Sequence, residues 1–331
     1  MRVLFVIGCR PEIIKCFPVY KALKDNGHSV VVYYTKQNYT KELSDDIFDD
    51  FAYKKSDIKN SIPKSFKSDV ILVQGDTWST LRGAMLAKST GVKLGHIEAG
   101  LRSHDDRMAE EKIRMIVDEV ADFNFCTTVF AKNNITDEFG TKSYVVGNTL
   151  YDLMKDQIRD TAEHILVTLH RPETVDTEFI LIETLQAVNQ IAKDHEKQAY
   201  FSVHPRTLDK IKRFGIDIDI KFSKHIIPMK PLSYVKFQEK LRKSFIVITD
   251  SGGIQEEAAI LQIPCVTTRF STERPETVMT GLNKVCGNDM ENIVFAAEDV
   301  LKEWQRGKFK KVDYGDGTAG EKIVKILERK L

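Results

Sequence analysis

Acidic side chains stand where apolar runs stop. The run DVILV ends in Gln74-Gly75-Asp76-Thr77, and KLGHI ends in Glu98-Ala99-Gly100-Leu101-Arg102-Ser103. Two carboxylates at neighbouring strand ends are suited to general acid–base chemistry, in which one group takes a proton and another returns it. Asp76 reads equally well as the N-cap of the helix that follows. Glu98, directly after an apolar strand and before Ala-Gly, has no capping role and reads as functional. Glu110 and Arg114 lie four apart in AEEKIR. By spacing alone they make a helical salt pair worth about 0.2–0.5 kcal/mol.

A second group of residues suits an anion. Gly8-Cys9-Arg10-Pro11-Glu12 closes the first apolar run, with Lys15 about one helical turn further on. Ile165–Leu169 is followed by His170-Arg171-Pro172-Glu173, and Tyr200–Val203 by His204-Pro205-Arg206. Histidines followed by arginine at two strand ends read as ligand contacts, with a hydrogen-bonded structural role as the alternative. Phe245–Thr249 leads into Asp250-Ser251-Gly252-Gly253 and then Glu256 and Glu257. A Gly pair at a helix start lets backbone N–H groups approach a phosphate, Ser251 adds a hydroxyl, and Glu257 can accept from ribose hydroxyls. Arg274, in RFSTERPE, offers a guanidinium to a second phosphate oxygen.

The elements that must carry these residues follow from the hydrophobic pattern. Apolar, β-branched runs alternate with helical stretches: Arg2–Ile7, Ser29–Tyr34, Asp69–Val73, Lys93–Ile97, Phe123–Thr127 and Ser143–Val146. The series restarts with His164–Leu169, Gln198–Val203, Ile220–Ile227, Ser244–Thr249, Pro264–Thr268 and Asn283–Cys286. Strands apolar on both faces, separated by helices, predict parallel, doubly wound α/β sheets. The restart places domains at 1–160 and 161–313. The tail, 314–331, opens with YGDGTAG and continues as an amphipathic helix expected to pack across the domain junction. The basic stretch KKSDIKNSIPKSFK (54–67) reads as a solvated helix or loop.

Composition sets the outer limits. At 331 residues the chain is about twice a usual domain. Lys plus Arg number 49 against 48 for Asp plus Glu, so no long-range field favours nucleic acid. The cysteines at 9, 16, 126, 265 and 286 have no CxxC spacing, which points away from disulfides and zinc and towards the cytoplasm. MRVLFVIGCRPE is too short in its apolar run for an export signal, and nothing later suggests a membrane span, so a protein in solution is expected.

Together GCRPEIIK, QGDTWSTL, HIEAGLRS, MAEEKIR, VGNTLYDLM, LHRPET, TDSGGIQEEA, TERPETV and YGDGTAGEKIVKIL occur in one order along nearly the whole chain. In this the sequence resembles the non-hydrolysing UDP-N-acetylglucosamine 2-epimerases. The resemblance implies two Rossmann-like domains of the glycosyltransferase-B type with the active site in the interdomain cleft, and homodimers. It implies UDP contacts from Ser251, Gly252, Gly253, Glu257, His204, Arg274 and Arg10. Asp76, Glu98, Glu110 and His170 match catalytic positions, with Lys15 and Arg114 nearby, so the resemblance replaces the salt-pair reading of Glu110. The activity implied is reversible C2 epimerisation of UDP-N-acetylglucosamine to UDP-N-acetylmannosamine through a 2-acetamidoglucal, with no cofactor and no metal.

Departures from the family pattern qualify what is carried over. The chain is short between Tyr39 and Asp69, and TKQNY has Lys36 and Asn38 where TGQHY is usual, which puts substrate-dependent allosteric regulation in doubt. Ala109 and Ile113 replace the Pro and Asn of PEExNR, a change that bears on the sugar accepted. A 2-epimerase of a modified UDP-sugar such as a 2,3-diacetamido uronic acid, a hydrolysing epimerase, a glycosyltransferase of the same architecture and a binder without turnover are the competing readings.

Overall fold

The computed structural model describes residues 1–37, 47–63, 67–135, 142–218 and 225–331. Two units divide them: Met1–Lys155 with Asp313–Leu331, and Asp156–Val312.

The first unit runs β1 (Arg2–Ile7), α1 (Arg10–Asp25), β2 (Ser29–Tyr34), β3 (Ile58–Lys59), β4 (Val70–Gln74), α2 (Trp78–Thr90), β5 (Lys93–Ala99), α3 (Ala109–Val120), β6 (Phe123–Cys126), α4 (Val129–Asn133), β7 (Lys142–Val145) and α5 (Thr149–Met154). Its strands form one sheet in the order β3-β2-β1-β4-β5-β6-β7, and every pairing is parallel. Val3, Val6, Val32, Leu72 and Val73 are fully buried, as strands covered by helices on both faces require.

The second unit runs β8 (His164–Leu169), α6 (Pro172–Val175), α7 (Glu178–Asp194), β9 (Ala199–Val203), α8 (Pro205–Arg213), β10 (Ile226–Met229), α9 (Tyr234–Arg242), β11 (Ser244–Thr249), α10 (Gly252–Ile260), β12 (Cys265–Thr267), α11 (Pro275–Met279), β13 (Asn283–Val285) and α12 (Met290–Gln305). Its sheet, β10-β9-β8-β11-β12-β13, is again parallel throughout. Each sheet reverses its winding beside its first strand, between β1 and β4 and between β8 and β11. At such a switch point the loops diverge and leave a crevice beyond the carboxyl ends of the strands.

Three expectations meet the structure differently. The KKSDIKNSIPKSFK stretch contributes β3, which pairs with β2 through Val32↔Ile58 and Tyr33↔Lys59. A short polar strand suits a sheet edge, where one face of hydrogen-bonding groups stays wet. Glu98 does not follow its strand but lies within β5, at a register shift between Ile97 and Ala99. Positions 220–224 of the strand expected at Ile220–Ile227 lie outside the described residues, and β10 runs from Ile226 to Met229.

The carboxyl-terminal helix α13 (Ala319–Lys330) belongs to the first unit and packs on α1 and α5. Asn148 N donates to Tyr314 O at 3.0 Å. Asp152, on α5, receives Ala319 N at 2.9 Å and Gly320 N at 2.8 Å, so a carboxylate distant in sequence caps α13. Burial raises the pKa of Asp152. Asp152→Ala should therefore lower unfolding stability by about 0.5–2 kcal/mol, the usual range for a lost cap, measured by urea denaturation.

Candidate active site

Buried carboxylates hold the strand-end turns of the first unit. Glu12 closes a capping box at the start of α1: its Oε2 accepts from Gly8 N and from Cys9 N, the latter at 2.9 Å. Its Oε1 accepts from Thr77 Oγ1 at 2.6 Å, which ties the turn after β1 to the turn after β4. Burial dominates at Glu12 and raises its pKa despite these donors. Thr77 also caps α2, accepting from Ser79 N and Thr80 N. Asp76 is therefore not the cap of α2.

With that role taken, Asp76 turns to Arg114, whose Nη2 donates to Asp76 Oδ2. The Asp76 side chain keeps 25% of its surface exposed while Arg114 keeps 4%. Arg114 Nη1 also donates to Glu111 Oε2 at 2.7 Å. Glu111 accepts in addition from Ser103 N at 2.9 Å and His104 N at 3.1 Å. Burial would raise the Glu111 pKa, but the donors from Ser103, Arg114 and His104 outweigh it and hold the carboxyl below its ordinary value. Glu110 is half-buried in the first turn of α3, one turn before Arg114.

Glu98 has the most constrained position. Its φ is +67°, in the left-handed region that non-glycine residues rarely adopt. Lys15 Nζ lies 2.5 Å from Glu98 Oε1, with both side chains almost fully buried. Gln74 Nε2 donates to Glu98 Oε2. The bulge in β5 thus aims one carboxylate at a lysine on α1 and an amide on β4. Arg10, the other basic residue of that loop, opens α1 and is half-buried.

In the second unit Asp250 plays the tying role. Fully buried, it accepts from His170 N and Arg171 N, each at 2.8 Å, and faces His170 Nδ1 at 2.8 Å. Burial alone would raise its pKa, but His170 and these N–H donors lower it. The His170 ring lies 5.4 Å from that of His204, centroid to centroid. His204 caps α8, its Nδ1 accepting from Arg206 N at 3.2 Å. The structural alternative for His204 is thereby realised, whatever ligand it also meets.

Ser251 is the N-cap residue of α10, and its side chain does not cap the helix. A Cβ on Gly252 would fall 2.3 Å from Glu273 Oε1, whereas a Cβ on Gly253 would meet nothing within 4 Å. The two glycines therefore differ: the first makes room for a protein carboxylate, and the second leaves open space beside the helix start. Glu257 is buried on α10, and its neighbour Glu256 holds Arg274 Nε at 3.0 Å. Arg269, two residues after β12 and 2% exposed, pairs with Glu273 at 2.9 Å.

Thus Lys15, Asp76, Glu98 and Arg114 gather around the ends of β4 and β5, and His170 and His204 gather beside Asp250. Glu12, Gln74, Glu111, Asp250 and Arg269 were not singled out from the sequence. For Glu12 the signal was its place three residues after Cys9 at a helix start. For Arg269 it was a charge directly after an apolar strand.

Two Rossmann-like units, each with its polar residues at the carboxyl edge of a parallel sheet, define a two-domain α/β protein of the glycosyltransferase-B type. The family model described as UDP-N-acetylglucosamine 2-epimerase matches residues 59–328, and the chain belongs to that family of isomerases. It is similar to the UDP-N-acetylglucosamine 2-epimerase of Methanococcus maripaludis, with 35% identity over 97% of each chain. It is also similar to the UDP-2,3-diacetamido-2,3-dideoxy-D-glucuronate 2-epimerase of Pseudomonas aeruginosa, with 33% identity over 99% of this chain and 100% of that one. The crystal structure of Methanocaldococcus jannaschii UDP-GlcNAc 2-epimerase in complex with UDP-GlcNAc and UDP matches with a TM-score of 0.89 and 32% identity, covering 99% of this chain and 100% of that one.

Burial and the neighbouring His170 push the His204 pKa down to about 4, against about 6.5 for a free histidine. The unfolded chain then takes a proton before the folded one does. His204 should contribute its full stability above about pH 6.5 and lose it progressively as the pH falls to about 4. Urea unfolding at pH 7 and pH 4.5 should show a smaller stability difference in His204→Gln than in the unsubstituted protein.

Proposed function

We propose that the protein interconverts UDP-N-acetylglucosamine and UDP-N-acetylmannosamine by inverting C2. The observation that carries this reading is the acidic cluster at the ends of β4 and β5, in a chain of the epimerase family. The C2 hydrogen is not adjacent to a carbonyl, so direct removal is prohibitive. Departure of the diphosphate builds positive character at C1 and acidifies the neighbouring C–H. A general base takes the C2 proton, the C1–O bond breaks, and UDP leaves with the electron pair, giving a 2-acetamidoglucal with a C1–C2 double bond. For return, a general acid delivers a proton to the opposite face of C2, and the UDP oxygen bonds again to C1.

Asp76 and Glu110 are the acid/base carboxylates in this scheme, with Asp76 oriented by Arg114. Glu98 already receives Lys15 and Gln74 on its two oxygens, which suits an orienting group better than a proton carrier. Lys15 and Arg10 are cations for the leaving diphosphate. The second unit takes the UDP: Ser251 and the backbone at Gly252 and Gly253 receive the diphosphate, Glu257 the ribose, and His170, His204 and Arg274 complete the contacts. Free N–H groups at a helix start and nearby cations stabilise the charge that develops as the diphosphate departs. The sequence neither gains nor loses electrons overall. A homodimer in the cytoplasm is the setting we assign to it, in keeping with five cysteines that form no disulfide.

A second reading has a specific observation behind it. The diacetamido-glucuronate 2-epimerase of Pseudomonas aeruginosa and the UDP-N-acetylglucosamine 2-epimerase of Methanocaldococcus jannaschii are both 33% identical to this chain. Overall likeness thus does not choose the sugar, and Ala109 and Ile113 stand beside Glu110 where the family pattern differs.

Incubation with UDP-N-acetylglucosamine in deuterium oxide should give UDP-N-acetylmannosamine with deuterium at C2, read by proton NMR. UDP release without C2 labelling would instead indicate group transfer or hydrolysis. Asp76→Asn and Glu110→Gln should each lower C2 exchange by at least about 100-fold, the scale of lost general acid–base catalysis. Persistence of exchange in either variant removes that residue from the proton-transfer role.

A further inference from the structure

A fully buried histidine lies two residues before Glu98. His96, on β5, is 0% exposed. Its Nε2 is 2.8 Å from Gly75 O, the carbonyl of the residue just before Asp76. Its Nδ1 is 2.7 Å from Asp118 Oδ1 on α3. A carbonyl oxygen only accepts, so Nε2 carries a hydrogen. Asp118 meanwhile receives Arg102 Nη1 at 2.6 Å and Gly100 N at 3.2 Å, so it is an acceptor on every side.

We infer that His96 is a positioning residue for the acid/base pair. It donates from both ring nitrogens and links the turn that carries Asp76 to the helix that carries Glu110. The inference rests on the reading of Asp76 and Glu110 given above. The geometry supports the link from both ends. Gly75 N donates to Ile97 O at 3.2 Å, so the residue before Asp76 is held to β5 through both its N–H and its C=O. On α3, Glu111 binds the Ser103 turn, Arg114 reaches Asp76, and Asp118 meets His96. These three lie along one buried face of the helix that begins beside Glu110. His96 closes the loop from α3 through β5 to Gly75, while Arg114 closes it directly to Asp76. Two independent braces fix both the backbone and the side chain of Asp76. No amide or hydroxyl side chain spans two acceptors on opposite sides of a planar ring as an imidazole does.

The test has two arms. In protein labelled with 15N-histidine, long-range proton–nitrogen correlation should place both nitrogens of His96 in the protonated range, with Asp118→Asn moving Nδ1 out of that range while Nε2 stays within it. A spectrum with only one protonated nitrogen in the unsubstituted protein overturns the double-donor assignment. In the kinetic arm, His96→Phe and His96→Gln should lower kcat for C2 exchange by tenfold or more, with KM and the Kd for UDP changed less than twofold. A far-UV circular dichroism spectrum and a cooperative urea unfolding transition like those of the unsubstituted protein show that each variant is folded. Retention of full kcat in both variants overturns the positioning role. If the unsubstituted protein itself gives no C2 exchange, the functional reading fails, and the nitrogen spectrum still decides the double-donor assignment.

Discussion

The buried pair of Lys15 and Glu98 is the constraint from which the first unit's geometry follows. A lysine and a glutamate removed from water are stable only together, and loss of one partner typically costs about 3–5 kcal/mol because the other is left uncompensated. The lysine sits on α1 and the glutamate on β5, so the pair sets where the helix after the first strand lies against a strand two places away in the sheet. Glu98 reaches it through a left-handed backbone conformation at a strand bulge, a strain of the order of 1–3 kcal/mol. That strain persists because the carboxylate is also bound by Gln74, so its orientation is set from two directions.

The same device recurs. Glu12, Glu111, Asp118 and Asp250 are all buried, and each accepts hydrogen bonds from turns that sequence alone keeps apart. Strand-end loops of a parallel sheet have few backbone partners of their own, since the ladder stops where they begin. A buried carboxylate supplies several acceptor sites in one place and satisfies the stranded N–H groups. The turns become rigid, and the residues left facing outward, such as Asp76, inherit a defined position without supplying the rigidity themselves.

The two units apply this plan to different ends. In the first, carboxylates tie the loops and other carboxylates are presented. In the second, the tie at Asp250 holds a histidine, and α10 starts on the glycines Gly252 and Gly253. Glu256 on α10 faces Arg274 and Glu273 faces Arg269, so arginines neutralise carboxylates close to a helix start whose partial positive charge favours an anion. A carboxylate-rich edge and a histidine- and glycine-bearing edge are thus built on one topology, distinguished by which side chains follow each strand.

The parallel α/β class, the restart of the strand series and the residues gathered at strand ends were legible in the sequence. Strand periodicity and turn residues are local, and in a parallel sheet every strand end points to the same edge. The motifs also carried the family. What local pattern did not contain was which charges meet. Asp76 reads equally as a cap until Thr77 is seen to hold the N-terminus of α2, and His96 is one polar residue in an apolar run until Gly75 and Asp118 appear on its two sides. Such pairings join residues 21 to 83 positions apart. They depend on packing distances of tenths of an ångström that no spacing along the chain encodes. Sequence determined which chemistry was available at each strand end; only the tertiary structure decided which charges meet and which carboxylates are buried as braces.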